Sequence, residues 1–204
     1  MTLSVTTVEL LDELFGSFLL KPGDIVWLVG GHQGLQVQFL LDTYPDILIE
    51  VYEPQPEWSE FLKKRFLGYP VRVHAYALGD VSGNFLAGLQ DTDCTFHWKR
   101  LQKEGLIEGP TSILKMEEVC QEYYLNSCKP TLLMMNCEGS ELEIIKQLNK
   151  CKFIREIPYI LTQFHSRVLG VEGCQEAYDI LEETHSIHWR YNEWSWVYAV
   201  KKEN

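Results

Sequence analysis

No apolar run in this sequence is long enough to cross a bilayer. Its strongest stretches, Ile25 to Gly31 and Tyr159 to Leu161, fall far short of the roughly 20 residues a spanning helix needs. Nor does a basic segment lead into an apolar one at the N-terminus, so the chain reads as soluble and cytoplasmic, without a membrane span or an export signal. Basic residues are scarce: 18 Lys and Arg stand against 29 Asp and Glu, a net charge of −11. That balance argues against a surface built to neutralise phosphates, and so against nucleic acid as a partner. The six cysteines, Cys94, Cys120, Cys128, Cys137, Cys151 and Cys174, form no C-x-x-C pair and have no zinc-type spacing to histidine. They read as reduced thiols that pack as small apolar side chains. Neither G-x-G-x-x-G nor the P-loop pattern is present, which counts against nicotinamide enzymes and NTPases.

What is present is enough apolar sequence for one core in 204 residues, and the expectation is a single domain over 1–204. Val8, Leu11, Leu14, Phe15, Phe18 and Leu19 recur at three- and four-residue spacing and mark a helix within 1–22, ended by Lys21-Pro22-Gly23. Apolar, β-rich runs then follow at Ile25–Val29, Ile47–Tyr52, Val71–Ala77, Thr131–Asn136 and Tyr159–Phe164. Between and after them lie helical patterns at Gln33–Leu41, Glu57–Phe66, Leu114–Tyr124, Ser140–Leu148 and Glu172–Thr184. Such alternation predicts a parallel sheet covered on both faces. Ser186–Tyr191 and Trp194–Val200, separated only by Asn192-Glu193, predict a tight antiparallel hairpin. The expected fold class is therefore α/β: a Rossmann-like, seven-stranded, mostly parallel sheet with helices on both faces and an antiparallel C-terminal hairpin. Residues 80–112 interrupt the rhythm with Gly83, Gly88, Gly105, Gly109 and Pro110, leave only brief strand-like pieces at Asn84–Ala87 and Thr95–Trp98, and read as an irregular segment that is a candidate lid or acceptor-facing region.

Two signals point to a ligand. The first strand runs into Gly30-Gly31-His32-Gln33-Gly34 before a helix begins, a turn at which backbone N–H groups can meet a bound group. About 20 residues on, the second strand ends in Tyr52-Glu53-Pro54, which places a carboxylate where it can accept hydrogen bonds from a ribose. A tight turn without a ligand and a solvated strand-end acid are the alternatives. With no pyrophosphate motif, an adenosine-containing ligand lacking a pyrophosphate fits best.

In order, the segments DIVWLVGGHQG, IEVYEPQPEW, VHAYALGDVSGN, TSILKMEEV and LLMMNCEGSELEIIKQL resemble the FkbM-type methyltransferases, within the wider class of S-adenosylmethionine-dependent enzymes. The resemblance covers roughly residues 23–165. It implies that S-adenosylmethionine is the cofactor, with Gly30, Gly31 and Gly34 forming its loop, Glu53 holding its ribose, and Ala77 and Leu78 near its adenine. It further implies methylation of a hydroxyl, on a sugar, glycan or other small molecule. Carboxylates common in the family are missing: Leu28 stands near the end of the first strand, Asn136 replaces the Asp of K-x-D-x-E-G, and Gln163 ends the later strand.

Asn136 can orient a substrate or an amine but cannot take a proton at neutral pH. His165, just beyond the strand ending at Phe164, is the candidate base, since its ordinary pKa suits proton transfer; a hydrogen bond to a loop carbonyl is the alternative. Glu138 is a base or orienter, or else a charge favoured at a helix N-terminus. His32 reads as a cofactor contact. Asp91, His97 and Trp98 fall in the acceptor-facing segment and are candidate substrate contacts, with a surface-loop role as the alternative for Asp91 and His97. The aromatics Trp189, Tyr191, Trp194, Trp196 and Tyr198 suit sheet packing, with a sugar-stacking platform as the alternative. No metal is expected. The leading expectation is an O-methyltransferase; a methyltransferase-like protein that binds a cofactor or partner without catalysis is the second reading, motivated by Asn136 and Gln163.

Overall fold

The computed structural model describes residues 20–85, 111–126, 128–191 and 196–203. In chain order the elements are β1 (Ile25–Val29), α1 (Leu35–Thr43), β2 (Leu48–Tyr52), α2 (Pro56–Arg65), β3 (Val71–His74), β4 (Ala77–Gly79), β5 (Gly83–Phe85), β6 (Thr111–Lys115) and α3 (Met116–Asn126). Then come β7 (Leu132–Met135), α4 (Glu141–Lys150), a short 3-10 turn (Phe153–Glu156), β8 (Tyr159–Gln163), α5 (Ser166–Glu182), β9 (His185–Tyr191) and β10 (Trp196–Lys201). Seven strands form one sheet in the order β3-β2-β1-β7-β8-β10-β9. The first five run parallel, and β10 is antiparallel to both β8 and β9. The fold is therefore the α/β arrangement that the alternating pattern predicts.

Side-chain alternation explains why the central strands are apolar throughout. Val26 and Leu28 of β1, with Leu132 and Met134 of β7, pack with Val37 and Leu40 of α1 and Leu62 of α2. Trp27 and Val29, with Leu133 and Met135, face the other way, towards Val119 and Cys120 of α3, Ile145 and Leu148 of α4, and Ala177 and Leu181 of α5. Both faces are thus covered by helices, and neither set of strand positions can be polar. The second core is anchored by Trp27, whose ring stacks on Phe153 at 5.5 Å and meets the edge of Tyr123 at 4.6 Å; such aromatic pairs add to the gain from burial itself.

Several boundaries differ from the sequence pattern. The run Val71–Ala77 does not form one strand: it leaves the main sheet after His74, and Ala77–Gly79 pairs in parallel with Ile113–Lys115 in a second sheet of order β4-β6-β5. Within the segment read as irregular, the strand-like piece expected from Asn84 is a strand over Gly83–Phe85, 111–112 is strand as well, and the helix expected from Leu114 begins at Met116. The helix expected from Glu172 begins at Ser166 and is broken at Gly170, whose φ of 71° and ψ of 170° are non-helical; this glycine and the one at 173 masked the first turns in the sequence. In the hairpin Tyr191 pairs with Trp196, leaving four residues between them where two were expected. Trp196 and Tyr198 are buried in the core, as sheet packing requires. The expected N-terminal helix up to Leu19, and Trp194, lie outside the described residues. Among those described, no helix is long and apolar enough to cross a membrane.

Candidate active site

Strand β1 lies between β2, which follows it in the chain, and β7, which comes much later. The chain thus departs to opposite sides from neighbouring strands, the point at which open α/β sheets bind ligands beyond their strand ends. Each tip is tied to its neighbour one residue past the strand: Gly30 N–H donates to Tyr52 O at 3.0 Å, Glu53 N–H to His74 O at 3.0 Å, and Asn136 N–H to Val29 O at 2.9 Å. Above these tips is a cavity of about 240 Å³, a little under the roughly 300 Å³ at which small-molecule pockets usually begin.

The loop after β1 contributes Gly30, Gly31, His32 and Gln33 to its wall, and α1 contributes Leu35 and Gln36. Tyr52, Glu53, Pro54 and Gln55 come from β2 and its tip, Ala77 and Leu78 from β4, and Asn136, Cys137, Glu138 and Ser140 from the turn after β7. Of the residues expected to hold a cofactor, only Gly34 is not in this lining. It is the N-cap of α1, at φ 75°, and its Cα faces Phe66 and Leu62, where an added Cβ would stand 2.6 and 2.7 Å from their side chains. Gly30 also serves the protein's own packing: at φ 94° it lies so close to the turn after β7 that a Cβ would come 2.0 Å from Asn136 O. The glycine turn therefore lets chain approach chain, which brings the two loops together around the cavity.

Glu53 is almost completely buried. Its Oε2 accepts from the N–H groups of Gly31, at 3.1 Å, and His32, at 2.7 Å, and Oε1 accepts from Gln55 N–H at 2.9 Å. Burial raises its pKa, opposed by those backbone hydrogen bonds. The carboxylate thus organises the glycine turn as well as facing the cavity. Beside it Tyr52 stacks on His74 at 4.8 Å, and its hydroxyl lies 3.5 Å from that of Tyr123.

Two features of the lining ask for a polar partner. Asn136 Oδ1 and His32 Nε2 are buried with no hydrogen-bond partner among the described residues, and such orphaned atoms cost free energy unless something pairs with them. His32 and Glu138 also occupy left-handed backbone, at φ 41° and φ 55°, a conformation that is uncommon outside glycine and concentrates at functional sites.

His165 is not in the cavity lining. As N-cap of α5, it sits behind the turn with Nδ1 2.7 Å from Glu141 Oε1 and Nε2 3.2 Å from Glu138 Oε1. Burial alone would lower its pKa, but the hydrogen bonds and charges of Glu138 and Glu141 outweigh it, and the ring is pushed up to about 10. An imidazole facing two carboxylates donates from both nitrogens and has no lone pair left to accept a proton. The sequence makes His165 a candidate base; the structure places both of its ring nitrogens against carboxylates. Glu141, which the sequence does not single out, has no solvent exposure. Its Oε1 also accepts from Cys137 N–H at 3.1 Å and Gly139 N–H at 3.3 Å, and its Oε2 is buried without a partner among the described residues. Asp91, His97 and Trp98 lie outside the described residues. Among those described, no group of three or more His, Cys, Asp or Glu is arranged to hold a metal ion.

No protein-family model matches the sequence, and a search of curated proteins finds no match. The fold does have counterparts among solved structures. A putative rRNA-methylase from Clostridium thermocellum superposes with a TM-score of 0.55 at 13% identity, over 100% of this chain and 99% of that one. The Methanococcus jannaschii fibrillarin pre-rRNA processing protein gives 0.52 at 13% identity, over 90% and 69%. Human methyltransferase-like protein 13, in complex with SAH, gives 0.50 at 14% identity, over 94% and 75%. The shared architecture is the S-adenosylmethionine-dependent methyltransferase fold.

Proposed function

We propose that this chain is an S-adenosylmethionine-dependent methyltransferase of the FkbM type that methylates a hydroxyl of a small molecule or glycan. The observation that carries the reading is the convergence, at the switch point of a methyltransferase fold, of the glycine turn, Glu53 and an Asn136 amide oxygen buried without a partner among the described residues. Asn136 Oδ1 would accept a hydrogen bond from the ammonium of the cofactor's methionyl part. Glu53, which keeps acceptor capacity beyond its three backbone bonds, would take the ribose hydroxyls. Ala77 and Leu78 supply an apolar wall suited to the adenine. The N-terminus of α1, whose cap supplies no side-chain hydrogen bond, favours the anionic end of the ligand.

When bound, the cofactor supplies an electrophilic methyl group on a sulfonium. The protein must then receive the proton that the acceptor hydroxyl loses. Glu138 is the carboxylate in the lining of the turn after β7, and we assign it that proton in place of His165. The net charge of −11 favours an uncharged acceptor over a phosphate-rich one.

The test is acceptor-dependent release of S-adenosylhomocysteine across a panel of sugar and small-molecule hydroxyls. Glu138→Gln should lower kcat by about 10²- to 10⁴-fold, the usual worth of a positioned base. Activity undiminished by that substitution would remove Glu138 from the role. Because Asn136 and Gln163 stand where the family has acids, a second reading survives: a methyltransferase-like protein that binds without turnover. Cofactor binding with no release on any acceptor would favour it.

A further inference from the structure

The turn Asn136–Gly139 is held from behind by a charged bridge. Glu141, at the first position of α4, is fully buried and bonds the N–H groups of Cys137 and Gly139. The same oxygen meets His165 Nδ1, and the opposite ring nitrogen meets Glu138, whose backbone is left-handed. The first turn of α5 presses on the same place: a Cβ at Gly139 would lie 2.3 Å from Val168 Cγ1. Three elements thus meet on one imidazole ring, and the turn they grip carries two polar side chains of the cavity lining, Asn136 and Glu138.

We propose that His165 is a positioning residue: bridging the buried Glu141 and the cavity-lining Glu138, it fixes the Asn136–Gly139 turn so that Asn136 and Glu138 face the ligand. This rests on the reading of the cavity as the S-adenosylmethionine site. The bridge closes only while both ring nitrogens carry hydrogen, because neither carboxylate can donate. A neutral ring keeps a hydrogen for one partner only, and the turn is then held at one end. A cation is also what a fully buried carboxylate requires, since an uncompensated charge there is strongly unfavourable.

The groups that face the ring are few. Glu138 comes from the turn and Glu141 from α4, while Cys137 of the turn and Cys174 of α5 lie near Glu141. Burial keeps both thiols in the neutral form, with the Glu141 charge adding to the effect. Among the described residues, no Lys or Arg is ion-paired with either carboxylate. The charge of the ring therefore answers to Glu138 and Glu141, and the pH response of the turn should follow that of the ring.

Two readouts test this, one of which needs no ligand. In the wild-type protein, ¹⁵N spectra should show both nitrogens of His165 protonated from about pH 6 to about pH 8.5, well above the ordinary histidine range near 6.5. In Glu141→Gln the ring should titrate lower, and amide exchange at Cys137 and Gly139 should accelerate as it does. Calorimetric titration with S-adenosylhomocysteine should give a wild-type affinity that is flat over the same pH range. For Glu141→Gln the affinity should fall about 10-fold or more as the ring loses its proton, the scale of one lost charge-assisted hydrogen bond. His165→Gln, which still offers a donor to one carboxylate, should bind better than His165→Ala, and serves as the test variant if the alanine form does not fold. A wild-type ring that deprotonates below pH 8, or a folded His165→Ala protein with wild-type affinity and turn exchange, would overturn the proposal. If the wild type binds no S-adenosylhomocysteine, the reading of the cavity fails, while the ¹⁵N and exchange measurements still decide the bridge.

Discussion

His165 Nδ1 lies 2.7 Å from Oε1 of Glu141, a carboxylate with no exposure to solvent. Removing that carboxylate strands the imidazolium beside Glu138 alone and leaves the N–H groups of Cys137 and Gly139 without their acceptor. Glu141→Ala should therefore cost about 3–5 kcal/mol, as breaking a buried ion pair does, read from urea unfolding of both proteins. A loss below about 1 kcal/mol, the range of exposed pairs, would show that the bridge holds little.

Two histidines should tilt the pH dependence of stability in opposite directions. The ring of His165 is pushed up to about 10 in the folded protein. Its contribution is complete below the unfolded value near 6.5 and is lost as pH rises through the folded value. His185 is fully buried, donates from Nε2 to Ile157 O at 2.9 Å, and faces the Thr184 hydroxyl at Nδ1. Desolvation lowers its pKa, so its contribution is present above about pH 6.5 and is lost as pH falls through the lowered folded value. Urea midpoints measured across pH should lose part of their acid-side slope in His185→Gln and part of their alkaline-side slope in His165→Gln. Unchanged slopes in both variants would contradict these assignments.

Gly30 permits the glycine turn and the turn after β7 to touch. A methyl group there would stand 2.0 Å from Asn136 O on a backbone at φ 94°, so both sterics and conformation oppose it. Gly30→Ala should destabilise by about 1–3 kcal/mol or more, and the displaced Asn136 should weaken ligand binding in the fraction that remains folded. Gly68→Ala is a useful comparison, because its φ is also positive but no atom lies within 4 Å of the added methyl. Equal losses in the two variants would show that the contact itself carries no cost.

Glu53 serves the turn and the cavity together, accepting from Gly31, His32 and Gln55. Glu53→Gln should lower affinity for S-adenosylhomocysteine by about 10- to 100-fold, through lost charge-assisted bonds to the ribose and a looser turn. Unchanged affinity would move the ribose elsewhere.

Much of this fold is legible in the sequence because its central strands are buried on both faces. Continuous runs such as Val26–Val29 and Leu132–Met135 admit no polar residue, and they alternate with helices whose apolar stripes cover them. The cavity was legible for a related reason: a glycine turn and a strand-end acid mark the tips of two adjacent parallel strands, and both line it. Pairing that depends on distant partners was not. Nothing local to Ala77–Gly79 says that it leaves one sheet to join β6 in another. Nor could spacing show that His165 reaches Glu141 across 24 residues and so changes from a candidate base to a paired cation. Glu141 itself looks like any acid at a helix start; only its burial distinguishes it.

Calorimetric titration of the folded wild-type protein and Asn136→Ala with S-adenosylmethionine and S-adenosylhomocysteine is the most direct test of the central claim. It sets the orphaned amide oxygen of Asn136 against the ligand assigned to it. Binding of both ligands to the wild type, weakened about 10-fold in Asn136→Ala as one charge-assisted hydrogen bond is lost, is the predicted result. No binding of either ligand to a demonstrably folded wild-type sample would contradict the account, and would leave the methyltransferase fold as a scaffold for some other ligand.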